Sequence, residues 1–107
     1  MKIKNKLLHA ISECCQWYGV PIDYLSDPKN IINNYIEQDM SKIRAFSLIC
    51  YLLNEGKIGD RLSIYQIAVF FNIDKACVIR SLQDARNAKT HPSNTFNLIV
   101  KKVVESR

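Results

Sequence analysis

The sequence predicts an all-α fold, a compact multi-helix bundle in which residues 1–107 form a single domain. Two observations carry that expectation. Three glycines and three prolines in 107 residues are too few for the many tight turns of an all-β fold. Apolar residues recur at steps of three and four along most of the chain, which is the spacing of one helix face. A content of 48% hydrophobic and 23% charged residues is that of a soluble globular domain, and a chain of this length buries roughly two-thirds of its unfolded surface. No apolar run approaches the ~20 residues of a membrane span. Ser12, Glu13 and Gln16 interrupt the stretch that a cleaved leader would need after the basic start. The expectation is a cytoplasmic protein with no membrane association.

The elements follow in order. Ile3, Leu7, Leu8, Ile11, Cys14, Cys15 and Tyr18 mark one face of a first helix, stopped near Gly19. Pro21 opens a short helical turn, PIDYLS, whose Ile22 and Leu25 are expected to point inward. Ser26 or Asp27 then caps a helix with Pro28 in its first position and an apolar face of Ile31, Ile32, Tyr35 and Ile36. Asp39 and Ser41 read as a second cap, so residues 28–54 divide into two helices. The later one carries Ile43, Phe46, Ile49, Cys50 and Leu53 and stops at Asn54-Glu55-Gly56. The segment GKIGDR (56–61) is a loop that exposes Lys57 and Arg61, and THPSN (90–94) breaks the chain once more. The tail sets Phe96, Ile99, Val100, Val103 and Val104 on one face of a last helix.

Between that loop and that break runs LSIYQIAVFFNIDKACVIRSL, from Leu62. Ser63 offers a cap, and Ile67, Phe71, Ile73 and Val78 are spaced to lock two helices together. Ala68 is small where the first must let the second pass closely. Asn72 falls at the sharp turn, which needs a left-handed residue, and Asp74 follows as the next cap. This is the pattern of a helix-turn-helix, with a second helix at about 74–87. In such a motif the exposed face of the second helix enters the major groove. Here that face would present Asp74, Lys75, Ala76, Ile79, Arg80 and Gln83. Lys75 and Arg80 suit guanine N7/O6 or phosphates, Gln83 suits adenine, and Ala76 and Ile79 suit thymine methyls.

Charge points the same way. Residues 1–53 hold 6 basic and 5 acidic groups, a net of +1, whereas residues 54–107 hold 9 and 5, a net of +4. The surplus implies an anionic partner at the second half. Double-stranded DNA is that partner, met by Lys57, Arg61, Ser63, Asp74, Lys75, Ala76, Ile79, Arg80, Gln83 and Arg86. A protein-interaction module that kept the fold without DNA is the alternative. An enzyme is not expected, since His9 and His91 lie at opposite ends and no titratable cluster accompanies them. No cofactor or metal is expected either: Cys14, Cys15, Cys50 and Cys77 form no CxxC pair and read as four buried free thiols.

The order of these features resembles the C-terminal DNA-binding domain of the bacterial replication initiator DnaA, a Trp-repressor-like helical fold. The stretches that carry the resemblance are QWYGVPIDYLSD, AFSLICYLLNE, SIYQIAVFF, CVIRSLQDARN and HPSNTFNLIVKKV, and together they span about residues 7–104. The resemblance implies DNA engagement through the second motif helix, in the control of replication or transcription. Recognition of the initiator's own DNA box is not implied. The family's Gly-Gly-Arg-Asp-His-Thr-Thr signature is replaced by Asn72-Ile73-Asp74-Lys75-Ala76-Cys77, and its basic loop by SDPKNIINN with Lys29 as the one cation. The initiator's ATPase module has no counterpart, because no Gly-rich loop ends in Gly-Lys-Ser/Thr. The picture is of a stand-alone module, in a mobile element or as a chromosomal regulator.

Overall fold

The computed structural model describes the backbone of residues 2–37, 39–90 and 95–105, and side chains within residues 8–21, 23–25, 27–33, 39–90 and 95–105. These residues form six α-helices: α1 Lys2–Trp17, α2 Pro28–Glu37, α3 Met40–Asn54, α4 Ile64–Phe71, α5 Lys75–Lys89 and α6 Thr95–Glu105. A 3-10 helix, Ile22–Ser26, links α1 to α2. The all-α bundle is as expected, and so are the short turn after Pro21 and the separation of α2 from α3. The expected break at residues 91–94 lies outside the described residues, as do the side chains of Ile3, Leu7, Ile22, Tyr35 and Ile36.

Three helices end in the same way, each through one residue with left-handed backbone. Gly19 and Gly56 both have φ 68°, and Asn72 has φ 56°. In each case the next amide reaches back to the carbonyl five residues earlier: Val20 to Cys15 at 2.9 Å, Lys57 to Leu52 at 3.0 Å and Ile73 to Ala68 at 2.9 Å. The left-handed residue itself donates to the carbonyl three back, at 3.1, 3.3 and 3.2 Å. These paired bonds are the Schellman motif, which satisfies carbonyls a helix end would leave bare. The starts are capped as the sequence implies. Asp27 accepts from the Lys29 amide at 2.9 Å ahead of Pro28, and Asp39 accepts from the Lys42 amide at 3.3 Å.

The core is built around α3. Every residue from Ala45 to Leu53 is buried, on all sides of the helix, and a helix apolar all round must be enclosed. It packs most extensively against α5, then α1 and α2, while α6 closes the bundle against α1 and α5. Ala10, Ile11, Cys14 and Cys15 of α1, Ile31 of α2, Val78, Leu82 and Ala85 of α5, and Phe96, Ile99 and Val103 of α6 join α3 in one apolar cluster. Burying each large aliphatic or aromatic side chain contributes roughly 1.5–3 kcal/mol before entropy is counted.

Three inward expectations fail at the margins of helix faces. Leu8 is 46% exposed and Ile32 44% exposed. Ile32 lies ~100° round its helix from the fully buried Ile31, which turns it to the rim. Cys77 is only half-buried, so three of the four free thiols, not all four, are enclosed. Burial pushes the Cys15 thiol up to about 11, and drives Cys14 and Cys50 higher still. Enclosed thiols held protonated are poor nucleophiles.

Two outcomes follow from this packing. A disulfide-exchange reagent added to native protein at mildly alkaline pH should label one thiol rapidly, and Cys77→Ser should remove that fast phase. A second fast thiol would contradict the burial of Cys14, Cys15 and Cys50. Ala68→Leu should destabilise thermal unfolding by roughly 1–3 kcal/mol through overpacking, because Ala68 is buried where α4 meets the core; a neutral effect would mean no close helix contact there.

Candidate nucleic-acid interface

Helix α4, the turn Asn72-Ile73-Asp74 and helix α5 form a helix-turn-helix whose geometry is fixed by local bonds at each joint. At its start the Ser63 hydroxyl accepts from the Gln66 amide at 3.1 Å, while the Gln66 side-chain oxygen accepts from the Ser63 amide at 2.9 Å. This reciprocal capping box defines where α4 begins. Asn72 (φ 56°, ψ 49°) ends it, and an Asn tolerates that left-handed conformation better than most side chains. Asp74 is extended (φ −70°, ψ 146°), and its carboxylate accepts from the Ala76 amide at 3.0 Å, so α5 starts at Lys75. Phe71 anchors the corner, its ring edge-on to Phe46 of α3 at 5.0 Å.

Helix α5 divides into two faces. Val78, Ser81, Leu82, Ala85 and Ala88 are buried against the bundle. Lys75, Ala76, Ile79, Arg80, Gln83, Arg86 and Asn87 are exposed and, at ~100° per residue, fall within an arc of roughly 140°. Asp84 is the acidic residue within α5, and it points away from that arc. Its carboxylate lies 3.1 Å from Arg44 Nε of α3, as an ion pair without the alignment of a hydrogen bond. Tyr18 stands near this pair, and burial pushes its hydroxyl up to about 12. The inward ion pair leaves three cations and two amides on the outer face of α5, with the Asp74 cap the acid at its start. Arg86 also sits in the last turn, where a cation complements the helix dipole.

The remaining expected residues form a second group. Arg61 and Ser63 gather with Tyr65 and Gln66 around a shallow depression at the start of α4, and Lys57 is exposed in the loop before it. That loop is fastened, not loose. Ile58 is buried, Asn54 Nδ2 donates to the Leu62 carbonyl at 3.0 Å, and Arg61 Nε donates to the Asn54 carbonyl at 3.0 Å. All ten residues expected at DNA are exposed. Seven of them, Asp74, Lys75, Ala76, Ile79, Arg80, Gln83 and Arg86, share the start and outer face of α5, while Lys57, Arg61 and Ser63 belong to the segment leading into α4.

Three exposed residues had no place in the sequence reading: Tyr65, Val69 and Phe70 on α4, 65%, 60% and 44% exposed. The run IYQIAVFF is apolar almost throughout, so periodicity cannot say which side faces out. Its signal was the lack of any charged residue. Among the described residues no group of three His, Cys, Asp or Glu side chains can hold a metal ion, and no helix is long and apolar enough to cross a membrane. No protein-family model, no curated protein and no solved structure matches the chain. The likeness to the initiator domain therefore stands on the order of its sequence features.

The turn can be tested directly. Asn72→Ala should destabilise the fold by about 1 kcal/mol, since alanine has no side chain to offset the left-handed penalty, whereas Asn72→Gly should leave stability within about 0.5 kcal/mol of the parent. Equal thermal stability of the Ala and Gly variants would show that the left-handed turn is not the joint between α4 and α5.

Proposed function

We propose that this chain is a double-stranded DNA-binding protein that lays the outer face of α5 in the major groove. The observation that carries the reading is electrostatic. The one acid inside α5 is turned inward onto Arg44, while Lys75, Arg80 and Arg86 are turned outward beside Gln83. Such a face attracts phosphates and has the donors to read base edges. In this reading Lys75 and Arg80 reach guanine N7/O6 or flanking phosphates, and Gln83 pairs with adenine. Ala76 and Ile79, the latter 44% exposed, meet thymine methyls. The outer oxygen of the Asp74 cap suits a cytosine amino group. Lys57, Ser63 and Arg86 meet the backbone. The activity is binding without catalysis, in the cytoplasm, and the role is the control of replication or transcription.

A protein partner is the second reading, favoured by one observation: Tyr65, Val69 and Phe70 expose large apolar surface on α4, and exposed apolar patches mark association sites. Salt separates the two. Contact with about four phosphates gives log K against log[salt] a slope of about −3.6 on a random duplex. Lys57→Ala should flatten that slope by about one unit. Lys75→Ala with Arg80→Ala should abolish sequence-specific binding with helix content unchanged, each bidentate base contact contributing about 1–3 kcal/mol. Absence of duplex binding at low salt would overturn the DNA reading and leave the protein-interaction module.

A further inference from the structure

The outer face of α4 has a shape and charge pattern that fit a copy of itself. Tyr65, Val69 and Phe70 form an exposed ridge on a helix about 12 Å long. Among the six helices, α4 is the one with no charged residue. The one amide on that helix, Gln66, already has its oxygen bonded to the Ser63 amide, so covering the ridge strands little that needs water. Beyond the carboxyl end of the ridge lies a groove of ≈ 450 Å³, where Leu8, Ile11, Leu25 and Pro28 face Phe70 and Phe71 and Asp23 stands in the lining. At the amino end Arg61 sits beside Tyr65. Ridge and groove share Phe70, so one continuous face carries both a projection and a recess.

A two-fold contact requires a self-complementary face. We propose that two copies of this chain pair through this face, with their α4 helices antiparallel about a two-fold axis. In that arrangement Tyr65 of each copy meets the groove of the other. Arg61 of one approaches Asp23 of the other, once at each end of an uncharged centre. A parallel pairing would set Arg61 against Arg61 and Asp23 against Asp23. For a chain of net charge +5, the uncharged helix is also the place where two copies meet with least repulsion. The ridge is on the order of a few hundred Å², below the ~800 Å² per partner of a standard stable interface, so the pairing is reversible and depends on concentration. It does not depend on DNA.

The test is sedimentation velocity of the full chain, without nucleic acid, over two decades of concentration. The mass should rise from 12.4 kDa toward twice that value. Val69→Glu sets like charges at the centre of the contact and should raise the dissociation constant by about tenfold or more, with helix content and melting unchanged. Tyr65→Gln reads the same contact should Val69→Glu lower the melting temperature. Arg61→Glu should weaken pairing several-fold, and Arg61→Glu combined with Asp23→Arg should restore it. A single 12.4 kDa species at the highest concentration, growth beyond two copies, or equal pairing by the folded Val69→Glu variant would overturn the proposal. Failure of the charge exchange to restore pairing would overturn the antiparallel arrangement.

Discussion

Phe46, Leu48, Ile49, Cys50 and Leu52 leave α3 no side on which it can meet water, and the other helices take their places from that constraint. A helix apolar over its whole circumference lowers its free energy only when enclosed, so α1, α2, α5 and α6 each contribute one apolar stripe to the enclosure. The consequence for function is a division of labour along α5. Its Val78-Leu82-Ala85 stripe is committed to α3, and everything on its opposite arc is released from packing. The helix with this exposed arc is thus also a wall of the core, and its orientation cannot drift without opening the bundle.

Electrostatics refine that arrangement. Arg44 projects from α3 at the border of its apolar surface and meets Asp84 of α5 at 3.1 Å. Both groups are part-buried, where an unmatched charge is costly and a matched one is tolerated. The contact removes the helix's internal carboxylate from the solvent side. With that carboxylate turned inward, the exposed arc of α5 is basic. The neighbouring α4 has the opposite character, an exposed face without charge, and the two faces differ because α4 contributes only Ile67, Ala68 and Phe71 to the core.

Much of this was readable from residue order, and the parts that were not share a physical cause. Gly19, Gly56 and Asn72 announced their helix ends because a left-handed backbone excludes most side chains, and Ser63, Asp27, Asp39 and Asp74 announced starts because their short acceptors reach bare amides. The polar and apolar sides of α5 followed from a clear 3.6-residue period. Where the period is lost, burial could not be assigned. In IYQIAVFF almost every position is apolar, so the exposure of Tyr65, Val69 and Phe70 depends on how much of α4 the other helices happen to cover. Ile58 was hidden in a loop that read as polar, although it is the anchor that holds the loop to the core. Leu8, Ile32 and Cys77 sit at stripe edges, where a small rotation decides between core and rim. The Arg44–Asp84 pair joins residues 40 positions apart in sequence, a separation over which local pattern carries no information.

The joint between α4 and α5 ties the two proposed faces to each other. Only Asn72, Ile73 and Asp74 separate the helices. The paired bonds to Ala68 and Val69, the Asp74 cap and the edge-on contact of Phe71 with Phe46 leave that corner no free rotation. A contact that fixes α4 therefore fixes α5. If two copies meet through α4 about a two-fold axis, their α5 helices are related by the same axis, and a duplex engaged by both presents two equivalent half-sites in inverted orientation. The symmetry of the DNA site would then be set not by the base contacts of α5 but by an uncharged helix face that touches no DNA at all.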